Sequence, residues 1–328
     1  MKKIILIILL ATGVAQAANS PDEVKAYLVN KLEGIGAQSS DFTKNAAEYA
    51  ALAKSHGSIE AAYQADPDQV AKLVDKMRKN YKGMDSFGYE TIEGIVAGVP
   101  SLAHYDITLD AGVPASEGPD DVAEVTLDLG NGKKIDRQGA LFTYIIEPAL
   151  WSGDKRWIIS AGQKTLPKPE VLVAASLETE SQIKNLQKDA ASWKPTVADC
   201  FGAMIVMTPT LSDYFEDWKE SRFSNDKSGR FQAVSRISDM KGIMGSCAVM
   251  YGAVRKAVAE KDKALAKSTA LGFEEILAFL DALEKREGKG AIKAAEIEEL
   301  ARQAKEKTDK LVPQIEQGAA LAGVSTAG

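Results

Sequence analysis

The sequence predicts a mainly α protein, built as two helical (four-helix-type) bundles with a small β-hairpin-containing insertion between them. Three observations carry this expectation. Most of the chain repeats apolar residues at helical spacing between recognisable caps. One stretch instead alternates apolar and polar residues around an Asn-Gly turn, the signature of a hairpin. At 328 residues, the chain also approaches the size at which one hydrophobic core gives way to two. The expected division is a signal peptide over residues 1–17, a first bundle over 18–112, the insertion over 113–165 and a second bundle over 166–328.

The beginning of the chain points to export. Lys2 and Lys3 precede the apolar run Ile4 to Val14, and Ala15-Gln16-Ala17 offers the small-x-small pattern of a cleavage site. The run is short for a membrane span, and no second apolar segment of about 20 residues follows it. A periplasmic protein that is not membrane-embedded is therefore expected, and with no cysteine after the cleavage site, no lipid anchor. Taking Lys2 and Lys3 from the 40 basic residues leaves 38 against 46 acidic ones, a net charge near −8. That balance argues against nucleic acid as a partner.

Ser20-Pro21-Asp22-Glu23 supplies an N-cap, a proline at the first helical position and acids in the first turn. Val24, Leu28 and Leu32 then mark a helix to Gly34, and Ser40 to Ser55 resumes the period until His56-Gly57 caps it. Pro67-Asp68 opens a third helix through Val70, Leu73, Val74, Met77 and Tyr81. A fourth is expected from Met84. In the insertion, Val125 to Leu129 and Ile135 flank Gly130-Asn131-Gly132 as a hairpin, Leu141 to Trp151 reads as a short apolar helix, and Trp157-Ile158-Ile159 as a further strand.

The second half reads as helix from Pro169 to Ala190, from Pro195 through Met207, and again around Leu211 to Phe223. A polar loop at 224–229 precedes a long helix from Phe231 to Glu260. Two more, Asp262 to Arg286 and Ile292 to Gln317, carry alternating charges on solvated faces. Cys200 and Cys247 both fall on helices. A disulfide between them would remove roughly 4 kcal/mol of denatured-state entropy, against the alternative of two buried thiols.

The residues that invite chemistry lie in Met84 to Gly112, where Glu90, Glu93, His104, Asp106 and Asp110 are threaded among Ile92, Ile95, Val96, Val99, Leu102 and Leu109. An ionised carboxylate among apolar side chains needs a donor, a basic partner or a cation. Glu90 and Glu93 stand about one helical turn apart, where two like charges repel unless something positive lies between them. A second acidic stripe carries Glu216 and Glu220 at i,i+4 beside Tyr214 and Trp218, with pairing to Arg222 or Arg236 as the alternative. With only His56 and His104 present, no three-histidine site can form, and an oxygen-rich metal site remains. Iron is the ion expected, with copper or calcium also compatible; Met240, Met244 and Met250 read as core filler rather than as copper ligands.

Hydrolytic signatures are missing: the sequence has no G-x-S-x-G, no H-E-x-x-H and no phosphate-cradling glycine loop. At Glu90-Thr91-Ile92-Glu93-Gly94 the chain resembles the imelysin family, exported helical proteins associated with iron uptake that bear an H-x-x-E motif on the corresponding helix. The segment Tyr214 to Phe223 is also similar. In that comparison Glu90 stands where the family has its histidine, and Glu93 matches the glutamate. The resemblance implies a periplasmic metal-binding protein that captures iron through a carboxylate-rich site and passes it to an inner-membrane permease or another exported protein. Two other functions are open: a non-catalytic ligand- or protein-binding module that uses residues 113–165 as its contact surface, and an imelysin-like metallopeptidase. Enzymatic activity is the less expected of these.

Overall fold

The computed structural model describes residues 18–224, 229–290 and 292–325. The expected signal peptide and most of the expected polar loop at 224–229 lie outside them. The described chain is mainly helical, with two small antiparallel hairpins.

The first helix, α1 (Pro21–Ser55), starts where the Ser20 hydroxyl accepts the Glu23 amide and Pro21 occupies the first turn. It runs unbroken through the Gly34–Ser40 region, where the sequence suggested two helices. The buried stripe stays in phase across Leu32, Ile35, Ser39 and Phe42, so burial outweighs the cost of glycine there. Gly36 serves a contact: a Cβ at this position would lie 2.4 Å from the Gln187 side chain, whose amide donates to the Leu32 carbonyl. His56 caps the helix as expected. Next come α2 (Ile59–Ala65) and α3 (Pro67–Met84), each opened by an Asx or Ser cap.

The helix expected from Met84 onward is instead a broken path. Asp85 ends α3, Tyr89–Thr91 forms a single 3-10 turn, and two short helices follow, α4 (Glu93–Val96) and α5 (Ala103–Leu109). Pro100 has no amide proton for a regular helix, and Gly88, Gly94 and Gly98 lie where a Cβ would come within 2.5 Å of neighbouring atoms, so the segment can cross the interior against other backbones.

The insertion holds β1 (Thr126–Gly130) paired with β2 (Lys133–Asp136). Asn131 and Gly132 both take positive φ in the two-residue turn, as the Asn-Gly signal requires. The strand expected at 157–159 is β3 (Ile158–Ala161), paired with β4 (Lys164–Pro167). Between the hairpins, Leu141–Ile146 is a π-helical turn leading into α6 (Glu147–Trp151), where a plain α-helix was expected. Pro148 has no amide proton to offer the preceding turn. The Tyr144 carbonyl accepts the Trp157 indole N–H at 2.7 Å instead.

Beyond the insertion, α7 (Pro169–Ser192) packs mainly on α1, which also carries α3. It therefore follows the expected boundary at residue 166 in sequence while lying beside the N-terminal helices in space. The remaining helices are α8 (Val197–Met207), α9 (Asp213–Glu220), α10 (Arg236–Ala259), α11 (Lys263–Glu287) and α12 (Ala294–Leu321). The long helix starts at Arg236, five residues later than expected, because Ser235 is its cap.

Helix α10 is central. It contacts α11, α8, α4, the 3-10 turn, α1 and α9, and it is buried on most of its circumference. Cys200 on α8 and Cys247 on α10 are both buried and free, so the disulfide weighed from sequence is not formed. The Cys247 sulfur lies beside the Thr208 hydroxyl and would be 3.3 Å from a Cβ placed on Gly94.

Candidate metal centre

Two glycines bring the broken segment onto α10. A Cβ on Gly94 would lie 2.3 Å from the Ser246 hydroxyl and 3.0 Å from the Ile243 carbonyl, and one on Gly242 would lie 2.5 Å from the Glu90 carbonyl. Real Cβ atoms do not approach so closely, so only glycine permits this backbone contact. The consequence is electrostatic, because Glu90 and Glu93 are drawn inside, each 1% exposed.

Seven carboxylates are buried among the described residues: Asp85, Glu90, Glu93, Asp106, Asp110, Glu147 and Asp239. Arg236 is the one buried basic side chain among them. The acids come from separate elements. Asp85 caps α3, Glu90 sits in the 3-10 turn, Glu93 begins α4, and Asp106 and Asp110 lie in and just after α5. Glu147 begins α6, and Asp239 lies in the first turn of α10.

Several oxygens are held by donors. Tyr89 donates to Asp106 Oδ1 at 2.9 Å, Thr143 to Asp110 Oδ1 at 2.7 Å, and Tyr214 to Glu93 Oε1. Glu147 Oε1 accepts the amides of Gln232 and Ala233 at 2.9 and 2.8 Å. Arg236 donates to Asp239 Oδ2 at 2.8 Å and lies 3.7 Å from Glu90 Oε1. Other oxygens meet no donor at all: Asp85 Oδ1, Glu90 Oε2, Glu93 Oε2 and Asp239 Oδ1. A buried acceptor without a donor is costly, so this arrangement calls for protons or a cation.

Burial dominates the acidities. It pushes Asp85, Glu90 and Asp106 well above the usual carboxylate range and raises Glu93 and Glu147, with neighbouring carboxylates adding to the rise. Asp239 is pushed up to about 7, although Arg236 opposes the shift. A proton held between Glu90 and Glu93 would make a hydrogen bond that two ionised groups cannot, as in other close carboxylate pairs.

Three of the acids converge. Asp85, Glu90 and Asp110 each offer an oxygen, and these atoms lie within 4.8 Å of one another. Donors on opposite sides of a hard ion, at about 2.1 to 2.4 Å from it, stand about 4.2 to 4.8 Å apart. Beside them is a cavity of about 10 Å³, room for the centre of one water-sized sphere, lined by Asp85, Ser86, Asp110, Thr143, Glu147, Arg236 and Asp239 among others. The donor set is all oxygen, and Asp85 and Glu90 each also carry one buried oxygen without a hydrogen-bond partner. It fits a hard cation.

Of the residues singled out from sequence, Glu90, Glu93, Asp106 and Asp110 are gathered in this interior. The other three lie elsewhere. His104 is exposed and rests against the Tyr105 ring, with centroids 4.0 Å apart. Glu216 is 66% exposed and 3.5 Å from Lys219, and Glu220 is 56% exposed and 2.6 Å from Arg230. Both glutamates lie on the solvent side of α9, whose buried residues are Phe215 and Trp218. Sequence reasoning did not place Asp85, Glu147, Asp239 or Arg236 in the site. A signal existed for Asp239: it stands between Ile237 and Met240 on a helix whose apolar residues leave it little polar face.

Among the described residues, no helix is long and apolar enough to cross a membrane. A search of curated proteins finds no match to the chain. A model of the imelysin family, peptidase family M75, matches residues 47–317, a span that includes every buried acid described above. The chain belongs to the imelysin family.

Proposed function

We propose that the protein is an exported, non-catalytic metal-binding protein that captures iron through Asp85, Glu90 and Asp110 and hands it to a membrane permease or another exported protein. The observation that carries this reading is the imbalance of the interior: among the described residues seven buried carboxylates face one buried arginine, and three of them bring oxygens within 4.8 Å of one another. Ionising the group without a guest leaves unpaired negative charge in a medium of low polarity. Protonating it satisfies the charge at low pH. A hard cation does so at neutral pH, and the more highly charged the ion, the larger its share of the compensation. The imelysin family's association with iron uptake and the oxygen-only donors favour iron over soft metals.

Glu93, held by Tyr214, and Asp106, held by Tyr89, are further members of the same buried acidic group. Asp110 presents one oxygen to Thr143, which orients its carboxylate in the same way that outer-shell donors orient metal ligands.

The test is calorimetric titration of the metal-free, folded protein with ferric citrate, calcium and copper(II), together with elemental analysis of protein purified from its native source. One saturable ion per chain, lost in Glu90→Gln and in Asp110→Asn, is expected. Absence of saturable binding to folded protein, or unchanged binding in both variants, overturns the reading.

A further inference from the structure

Arg236 occupies an unusual position for a buried base. One of its terminal nitrogens lies 2.8 Å from Asp239 and 3.7 Å from Glu90, and the other lies 3.6 Å from Asp217 on α9. Its guanidinium also lies against the rings of Tyr214 and Phe231, at 4.8 and 4.6 Å. Its Nε meets no hydrogen-bond partner. The side chain therefore bridges an acid proposed to hold the cation and an acid that is 37% exposed at the surface.

We infer that Arg236 is a positioning residue that sets the affinity of the cation site, competing with the guest for Glu90 while Asp217 draws its charge outward. This rests on the metal-binding reading above. A guanidinium stays charged at any physiological pH, so it cannot withdraw by losing a proton as an acid can by gaining one. The flanking rings restrict how far it can move. Its charge must therefore be compensated where it stands. Asp239 and Asp217 share that task, and each unit of compensation they supply leaves Glu90 freer to bind a cation.

Two consequences have opposite signs. Removing the arginine charge strengthens cation binding, and it does so more for a trivalent than for a divalent ion, because the repulsion scales with the guest's charge. Neutralising Asp217 returns the arginine's charge to Glu90 and Asp239 and weakens binding. A purely structural role for either residue gives no such dependence on ionic charge.

The experiment measures the affinity of the purified protein for manganese(II) and for gallium(III) presented as citrate, redox-inert stand-ins for ferrous and ferric iron. It compares wild type, Asp217→Asn, Arg236→Gln and the double variant. Glu298→Gln serves as control: Glu298 is an exposed acid 2.9 Å from Lys219, also on α9. Asp217→Asn should weaken both ions about tenfold and Glu298→Gln less than about twofold. Arg236→Gln should tighten manganese about tenfold and gallium more, and Asp217→Asn should add nothing in that background.

The inference is overturned if Asp217→Asn matches the control, or if its effect persists without the arginine. Should Arg236→Gln fail to fold, the comparison of Asp217→Asn with Glu298→Gln decides alone. Wild-type protein that binds neither ion overturns the metal-binding reading and this inference together. Wild-type binding with unaltered variants overturns only this inference.

Discussion

The buried acids should make the metal-free protein lose stability as pH rises, and Asp239 allows the size of the effect to be worked out. Its folded-state pKa is about 7, raised mainly by burial, against an ordinary value of 3.8. Between those values the folded chain holds a proton that the unfolded chain has released, so folding takes up a proton and becomes less favourable as pH increases. The stabilisation is complete below about pH 4 and is lost as pH climbs through 7. A difference of about three pKa units corresponds to about 4 kcal/mol, a large share of the roughly 5–15 kcal/mol that holds a typical domain together. Asp85, Glu90, Glu93, Asp106 and Glu147 shift in the same direction and steepen the slope. The assay is urea denaturation with chelator present, at pH 5, 6, 7 and 8. Stability should fall by several kcal/mol across the series. Asp239→Asn should flatten the slope between pH 5 and 7 by about 1.4 kcal/mol per pH unit, the equivalent of one proton. Stability that is constant or rising from pH 5 to 7, or an unchanged slope in Asp239→Asn, would refute the reasoning.

Three further outcomes are expected. Gly94→Ala forces a methyl group to within 2.3 Å of the Ser246 hydroxyl and should cost about 1–3 kcal/mol by pushing α4 off α10; an unchanged melting temperature would show that the contact is slack. Tyr214→Phe leaves Glu93 without the phenol donor while its other oxygen already lacks one. A loss of about 1–3 kcal/mol at neutral pH is expected, and equal stability of the two proteins there counts against the hydrogen bond. In thiol titration without reductant, the unfolded protein should show two reactive cysteines and the native protein should react only slowly, since burial pushes both thiols up to about 12; a single reactive group or none in the unfolded chain contradicts the free state of Cys200 and Cys247.

Local chemistry explains what could be read from the sequence. The Ser20-Pro21 start, the His56 cap and the Asn131-Gly132 turn are each decided within a few residues, and each stands where those residues require. The acids between residues 90 and 110 also betrayed their burial, because Ile92, Ile95, Val96, Leu102 and Leu109 surround them in the chain itself. The rest depends on contacts between distant segments. Asp239 with Arg236 at i,i+3 resembles an ordinary surface pair, and the apolar run of α10 around it is the one hint that packing on nearly every side turns it inward. Asp85 follows a helix end, where an acid is unremarkable until Glu90 and Asp110 face it. His104, Glu216 and Glu220 show the converse. Ionisable side chains in a promising neighbourhood lie outside the cluster once the helix turns them away.

The acids of the interior are contributed by positions running from Asp85 to Asp239, nearly half the chain apart. No peptide fragment shorter than that interval can reproduce the whole arrangement. The acidic interior thereby becomes a readout of finished tertiary structure, and a protease that cuts between Asp110 and Asp239 and lets the pieces part would dismantle it in one step.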